Sequence, residues 1–190
     1  VCYNHLSQSF GKQMINNKNQ QYRLSGCAQG LKIANIAEDA QKPVIVITPG
    51  QACATRLYYE LRFFLCDTPL NVQLFPDWET LPYDSLSPHN DITSTRLSIL
   101  AHLPTMSEGI IIVTMRALMN RLAPVAYIKG NTFQLACGDT LNINTLRHRL
   151  QAQGYRMTEQ VLEHGEISVR GAIIDLFPMG SQHPFRIELF

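Results

Sequence analysis

The sequence has few charges for its size, no long apolar run and no paired-cysteine motif, and each shortage removes a class of function. Asp, Glu, Lys and Arg make up 16% of the 190 residues and sum to a net charge of +1. That excludes the global basic footprint of a general nucleic-acid binder. The longest apolar runs, Val44 to Ile47 and Ile110 to Val113, fall far short of the roughly 20 residues that cross a bilayer as a helix, so no membrane partner is expected. The 5 cysteines (Cys2, Cys27, Cys53, Cys66, Cys137) are odd in number and scattered, with no CxxC pair and no histidine at ligand spacing. They read as reduced thiols of a cytoplasmic protein, with no metal site. Val1 to Phe10 lacks a basic segment followed by an apolar one, so no secretory signal is visible. The chain also lacks an initiator Met and ends at Phe190 inside an apparent strand, which leads us to expect a larger parent.

What is present is a globular composition. Hydrophobic residues make up 45% of the chain, and a unit of this length buries roughly 70% of its unfolded surface. Residues 11–21 are rich in Asn, Gln and Lys with little periodicity, and 1–21 read as a loose lead-in. From residue 22 to 130, helix and strand patterns alternate. Gly26 to Gly30 reads as a turn, Leu31 to Ala40 as a helix and Pro43 to Thr48 as a strand apolar enough to be covered on both faces. Ala52, Leu57, Leu61, Phe64 and Leu65 follow at helical spacing, then a short strand over Val72 to Phe75 and a helix from about Asp91 to Leu103. The strand Ile110 to Val113 leads into a helix over Met115 to Leu122, which Thr114 can cap and Pro124 ends. Such alternation predicts a mainly parallel sheet with helices on its faces. From 131 to 190 the pattern becomes one helix, marked by Leu146 and Leu150 and closed by Gly154, followed by strands within Glu166 to Phe177 and Pro184 to Phe190. A small α+β domain with an antiparallel sheet is expected there.

A nucleotide-binding motor follows its first strand with GxxxxGK[ST], whose backbone N–H groups cradle phosphate while Lys and the hydroxyl serve phosphate and magnesium. The corresponding segment here is Gly26-Cys27-Ala28-Gln29-Gly30-Leu31-Lys32-Ile33. Lys32 lines up with the motor lysine, but Leu31 replaces the second glycine and Ile33 the metal-binding hydroxyl. No acidic residue closes the Ile110 to Val113 strand, which runs into Thr114 and Met115. ATP hydrolysis is not expected. Residual anion binding through Lys32 at a helix start is the functional alternative; a solvated lysine is the plainer one.

On the last strand, alternation places Phe185, Ile187 and Leu189 on a core-facing side and Arg186, Glu188 and Phe190 on the other. Arg and aromatic residues are the types enriched at interface hot spots. Glu163-His164-Gly165-Glu166 matches no structural zinc spacing and reads as a turn, with His164 exposed or hydrogen-bonded. Asp77-Trp78-Glu79 lies in a proline-rich stretch and reads as a rigid connection anchored by Trp78. The scarcity of Lys and Arg between Phe75 and Thr95 argues against a groove that tracks phosphates.

Two segments carry a family resemblance. Gly165-Glu166-Ile167-Ser168-Val169-Arg170-Gly171-Ala172-Ile173-Ile174-Asp175-Leu176-Phe177-Pro178 resembles the small domain that follows the first motor-like domain in the excinuclease subunit UvrB and in transcription-repair coupling factors. Leu74 to Asp91, followed by Arg96-Leu97-Ser98, is similar to the coupling factors in particular. UvrB carries in this region a tyrosine-rich hairpin that clamps damaged DNA, and nothing between Pro76 and Arg96 has that pattern. The resemblance implies a P-loop NTPase-like domain with a degenerate nucleotide site over 22–130 and a UvrA-docking domain over 131–190, truncated at its end. It implies that Arg170, Arg186 and Phe190 contact UvrA. It further implies a parent that is an ATP-dependent DNA translocase, using ATP and magnesium in a separate motor and meeting stalled RNA polymerase and DNA through parts absent here. No cofactor and no catalytic residue are expected in the present chain. The alternatives are a UvrB-like ATPase subunit that itself holds damaged DNA, and a structural domain masked within the parent.

Overall fold

A computed structural model describes residues 24–80, 83, 85, 87–133 and 135–190. The lead-in and Cys2 lie outside the described residues, as do Leu81, Pro82, Asp84 and Leu86 of the proline-rich connection. By packing, the chain divides into two compact units. One is built from the residues up to Leu74 together with Met106–Met115, the other from Phe75–Thr105 and Arg116–Phe190.

In the first unit, α1 (Ala28–Ala40), β1 (Pro43–Thr48), α2 (Gln51–Phe64) and β2 (Val72–Phe75) come in sequence, and β3 (Gly109–Thr114) completes the sheet. The strand order is β1-β3-β2. β1 and β3 run parallel, with Val44 beside Ile110 and Val46 beside Ile112. The apolar stripes of both helices, Ala34 and Ala37 of α1 and Ala54, Leu57 and Leu61 of α2, pack with Val44, Val46, Ile110 and Ile112 into one cluster. β3 lies between two strands and is buried at every residue. The expected cover on both faces of β1 is not found: Ile45 and Ile47 are 57% and 51% exposed. An edge strand has a neighbour on one side only, and both helices of this unit join the cluster at Val44 and Val46. The unit is thus a three-stranded parallel arrangement; the likeness to a nucleotide-binding motor extends no further than that.

α1 begins three residues earlier than its apolar pattern suggested, so Ala28 to Gly30 are helical rather than part of a turn. The reason is packing. A Cβ on Gly30 would lie 2.7 Å from the Glu60 carboxylate and 3.0 Å from its Cβ, so the helices approach closely where a side chain is missing.

The second unit holds α3 (Asn90–His102), a 3₁₀ turn over Leu103–Thr105, α4 (Met115–Met119, from Arg116 onward), α5 (Val125–Asn131) and α6 (Ile143–Ala152). Four strands follow: β4 (Arg156–Met157), β5 (Glu166–Arg170), β6 (Ile173–Phe177) and β7 (Phe185–Glu188). α4 stops at Met119, short of the expected Leu122, and α5 was not foreseen because it lies directly after Pro124, which reads as a helix stop but stands at the helix N-terminal boundary. The sheet order is β4-β5-β6-β7. It is mixed, not antiparallel: β5, β6 and β7 alternate in direction while the two-residue β4 runs parallel to β5. Leu146 and Leu150 of α6 pack with Ile167, Ile174 and Leu176, and Ile187 leans on the same cluster. Phe185 departs from its expected place: although in register with the buried Leu176, it is 55% exposed, because it opens an edge strand.

Candidate functional site

One face of the second sheet is core; the other carries charge. Alternation sends Ile167, Ile174, Leu176 and Ile187 toward α6, and it therefore sends Glu166, Ser168, Arg170, Asp175 and Arg186 to the opposite side. The register brings Ser168, Asp175 and Arg186 abreast across β5, β6 and β7. Arg170 lies one pleat along from Ser168, diagonal to Asp175.

The first part of this charged face is closed over by the segment that follows β4. The Ser168 hydroxyl donates to the Glu159 carbonyl at 3.0 Å. The Glu166 carboxylate accepts the backbone N–H groups of Leu162 (2.8 Å) and Glu163 (3.0 Å). Those two N–H bonds, and after them the Arg156 charge, hold the Glu166 carboxyl below its usual range. The remainder stays open, as a depression of about 920 Å³ lined by Thr158, Glu159, Val161, Arg170, Asp175 and Arg186 among others.

Two guanidinium groups converge on one carboxylate there. Arg186 is bidentate on Asp175, Nε to Oδ1 at 2.7 Å and Nη2 to Oδ2 at 3.1 Å. Arg170 Nη2 donates to the same Oδ2 at 2.6 Å. The arginine side chains are 56% and 60% exposed, whereas Asp175 is only 16% exposed. The Arg186 hydrogen bond first, and the Arg170 bond with it, pull the Asp175 carboxyl down to about 2. The bond from Asp175 in turn raises Arg186 above its usual value. Two guanidinium groups thus share one carboxylate, with Glu188 close enough to act on Arg186, and most of their N–H groups are not spent on Asp175.

The connection that presents β7 is held at several points. The Met179 N–H donates to the Tyr155 hydroxyl at 2.9 Å, and burial raises the Tyr155 pKa. The Gly180 N–H donates to the Ser94 hydroxyl at 2.9 Å. His164, 12% exposed, stacks on Phe177 and places Nδ1 2.8 Å from Asp91 Oδ1 and Nε2 2.8 Å from the Ser181 carbonyl. Its expected hydrogen bonding is found, and no cluster of metal-ligating side chains occurs among the described residues.

Of the three residues singled out from sequence, Arg170 and Arg186 therefore meet through Asp175. Phe190 lies beyond the end of β7, fully exposed. Asp175 was visible only as one letter of a motif; its partnership depends on the β6–β7 register. Arg96 was likewise visible only as part of a motif, Arg96-Leu97-Ser98, with no partner assigned to it. It is 3% exposed, lies between the rings of Phe75 (4.3 Å) and Trp78 (4.2 Å), and donates to the Pro76 carbonyl at 2.6 Å. Burial pulls its pKa down. Trp78 anchors the proline-rich connection as expected, with Arg96 as its partner.

At the place of a phosphate loop, the first turn of α1 is occupied differently. Glu60 of α2 lies against Gly30, and its buried Oε2 has no hydrogen-bond partner among the described residues. An acidic group near a helix N-terminus opposes the anion binding that such a terminus otherwise favours.

The family described as the UvrB interaction domain matches residues 133–190, which include all four strands of the second sheet. Over 163 residues the chain is 48% identical to a transcription-repair-coupling factor of Haemophilus influenzae, and over 167 residues 45% identical to that of Escherichia coli. By sequence, the chain belongs to the transcription-repair-coupling-factor family. The alignments cover 86% and 88% of the chain and 14% of each relative, so the chain spans about one-seventh of a coupling factor's length. UvrABC system protein B of Photobacterium profundum is 28% identical over 179 residues, covering 88% of the chain and 26% of that protein. No helix among the described residues is long and apolar enough to cross a membrane.

Proposed function

We propose that the chain is the recruitment module of a transcription-repair coupling factor, with the open arginine face of the second sheet as its docking surface for UvrA. The observation that carries this reading is the Arg170–Asp175–Arg186 cluster, which lies exposed within the segment matching the UvrB interaction domain. Arg170 and Arg186 make charge-assisted contacts with acidic groups of UvrA, and Phe190 fills an apolar pocket. Through UvrA, excision repair is brought to a stalled RNA polymerase that other parts of the parent engage. ATP, magnesium and DNA translocation belong to the parent's motor. The first unit is a non-catalytic scaffold, supported by the lost glycine and hydroxyl at Leu31 and Ile33 and by Glu60 against the first turn of α1.

Titration of purified UvrA against this chain, beside an Arg170→Ala, Arg186→Ala, Phe190→Ala variant verified as folded by circular dichroism, tests the docking reading. The expected result is saturable binding that weakens at least tenfold in the variant; a smaller loss counts against it. Measurable binding of magnesium-ATP by the chain would instead favour the UvrB-like ATPase.

A further inference from the structure

The arrangement around Asp175 is unusual for an ion pair that serves only the sheet. One arginine bidentate on a carboxylate is a complete pair. Here a second arginine is drawn onto the same oxygen, at 2.6 Å, which places two like charges side by side. Exposed ion pairs contribute little to stability, so fold stability alone gives no reason to gather two cations on one anion. The cluster does have a geometric effect. Each guanidinium is a planar fork whose orientation is set once one edge is bonded. Arg186 spends one edge of its fork on Asp175 and Arg170 a single Nη2, and both arginines line the open depression with their other N–H groups unspent on Asp175. Asp175 itself is 16% exposed and set between the arginines. Other negative groups also face this site: Glu188, two positions along β7, acts on Arg186, and Glu159 is in the lining of the depression.

We propose that Asp175 is a positioning residue for docking: it holds Arg170 and Arg186 as a preset pair of forks that together receive a carboxylate-bearing patch of the partner. This rests on the docking reading above. Holding the side chains in their bound geometry lowers the ordering cost that long, exposed arginines otherwise incur on association. The partner groups that fit are acidic side chains able to accept from both guanidiniums at once.

Asp175→Asn separates this role from simple charge balance, because the two predict opposite signs. Removing a negative charge makes the face more positive, so charge alone predicts faster association and tighter binding to an acidic partner. Loss of positioning predicts weaker binding. We expect the affinity of Asp175→Asn for purified UvrA to fall at least tenfold, through faster dissociation, with an association rate equal to or above that of the wild type. Asp175→Glu, which keeps the charge and shifts the carboxylate by one methylene, is expected to weaken binding at least threefold, and it decides the matter where the Asn variant does not fold. Unchanged or tighter binding in a folded variant overturns the positioning role and leaves the docking surface standing. Absence of wild-type binding overturns both.

Discussion

The two units treat their polar residues in opposite ways. In the first, the segment compared with a phosphate loop serves packing: Gly30 lets α2 approach, and Glu60 occupies the space beside it. In the second, Arg170 of β5 and Arg186 of β7 remain more than half exposed, tied together through Asp175. A unit can therefore have parallel strands and flanking helices and fill the first turn of a helix with packed side chains. A modest mixed sheet, by contrast, can gather charged side chains on one face from three residues, Asp175 and Arg186 in register and Arg170 diagonal to Asp175. On the docking reading proposed above, function follows the groups left facing outward, not the more familiar of the two architectures.

The largest expected effect breaks the second unit at its core. Leu150 is fully buried against Ile167 and Ile174, so Leu150→Ala is expected to cost about 2–5 kcal/mol, read as a lower urea midpoint. The equivalent test in the first unit is Gly30→Ala. Alanine favours helix by about 1 kcal/mol, yet its Cβ would meet Glu60 at 2.7 Å; overpacking of this kind costs about 1–3 kcal/mol. Net destabilisation by thermal melting is expected, and relief on combining it with Glu60→Ala. A neutral or stabilised single variant would mean that the helices do not meet there as closely as described.

Smaller effects concern the charged face. Gly171 takes φ +61° in the tight β5–β6 turn with open space around it, so Gly171→Ala should destabilise by about 1 kcal/mol through backbone strain alone. The Asp175 carboxyl titrates near 2 when folded, against an ordinary value of 3.8. A carboxyl depressed by folding stabilises fully above its unfolded value, and that contribution is lost as the pH falls from 3.8 through 2. Carbon-detected NMR of the Asp175 carboxyl should show the depressed midpoint. Between pH 4 and 2, wild type should lose slightly more stability than Asp175→Asn, which has nothing there to titrate.

Much of this was legible in the residues. Continuous runs such as Pro43 to Thr48 and Ile110 to Val113 marked the strands, and alternation along Phe185 to Phe190 put Arg186 and Ile187 on opposite sides, as found. What could not be read depends on pairing between distant segments. β4 is two residues long and has no pattern of its own; it exists because Glu166 and Ile167 offer it a partner. Asp175 acquires meaning only when register sets it beside Arg186. Arg96 was given no partner from sequence because nothing local reveals that Phe75 and Trp78 close over it. Exposure of Ile45 and Ile47 was missed for a related reason: hydrophobicity states what could be covered, not how many strands and helices are there to cover it.

The sandwich of Arg96 between Phe75 and Trp78 has an optical consequence. Trp78 is the chain's 1 tryptophan, and a guanidinium lies 4.2 Å from its ring. Its emission is therefore a built-in gauge of one location, the start of the proline-rich connection. A titration followed by that light watches the second unit loosen at this stack, while the parallel strands of the first are followed through the backbone, by circular dichroism.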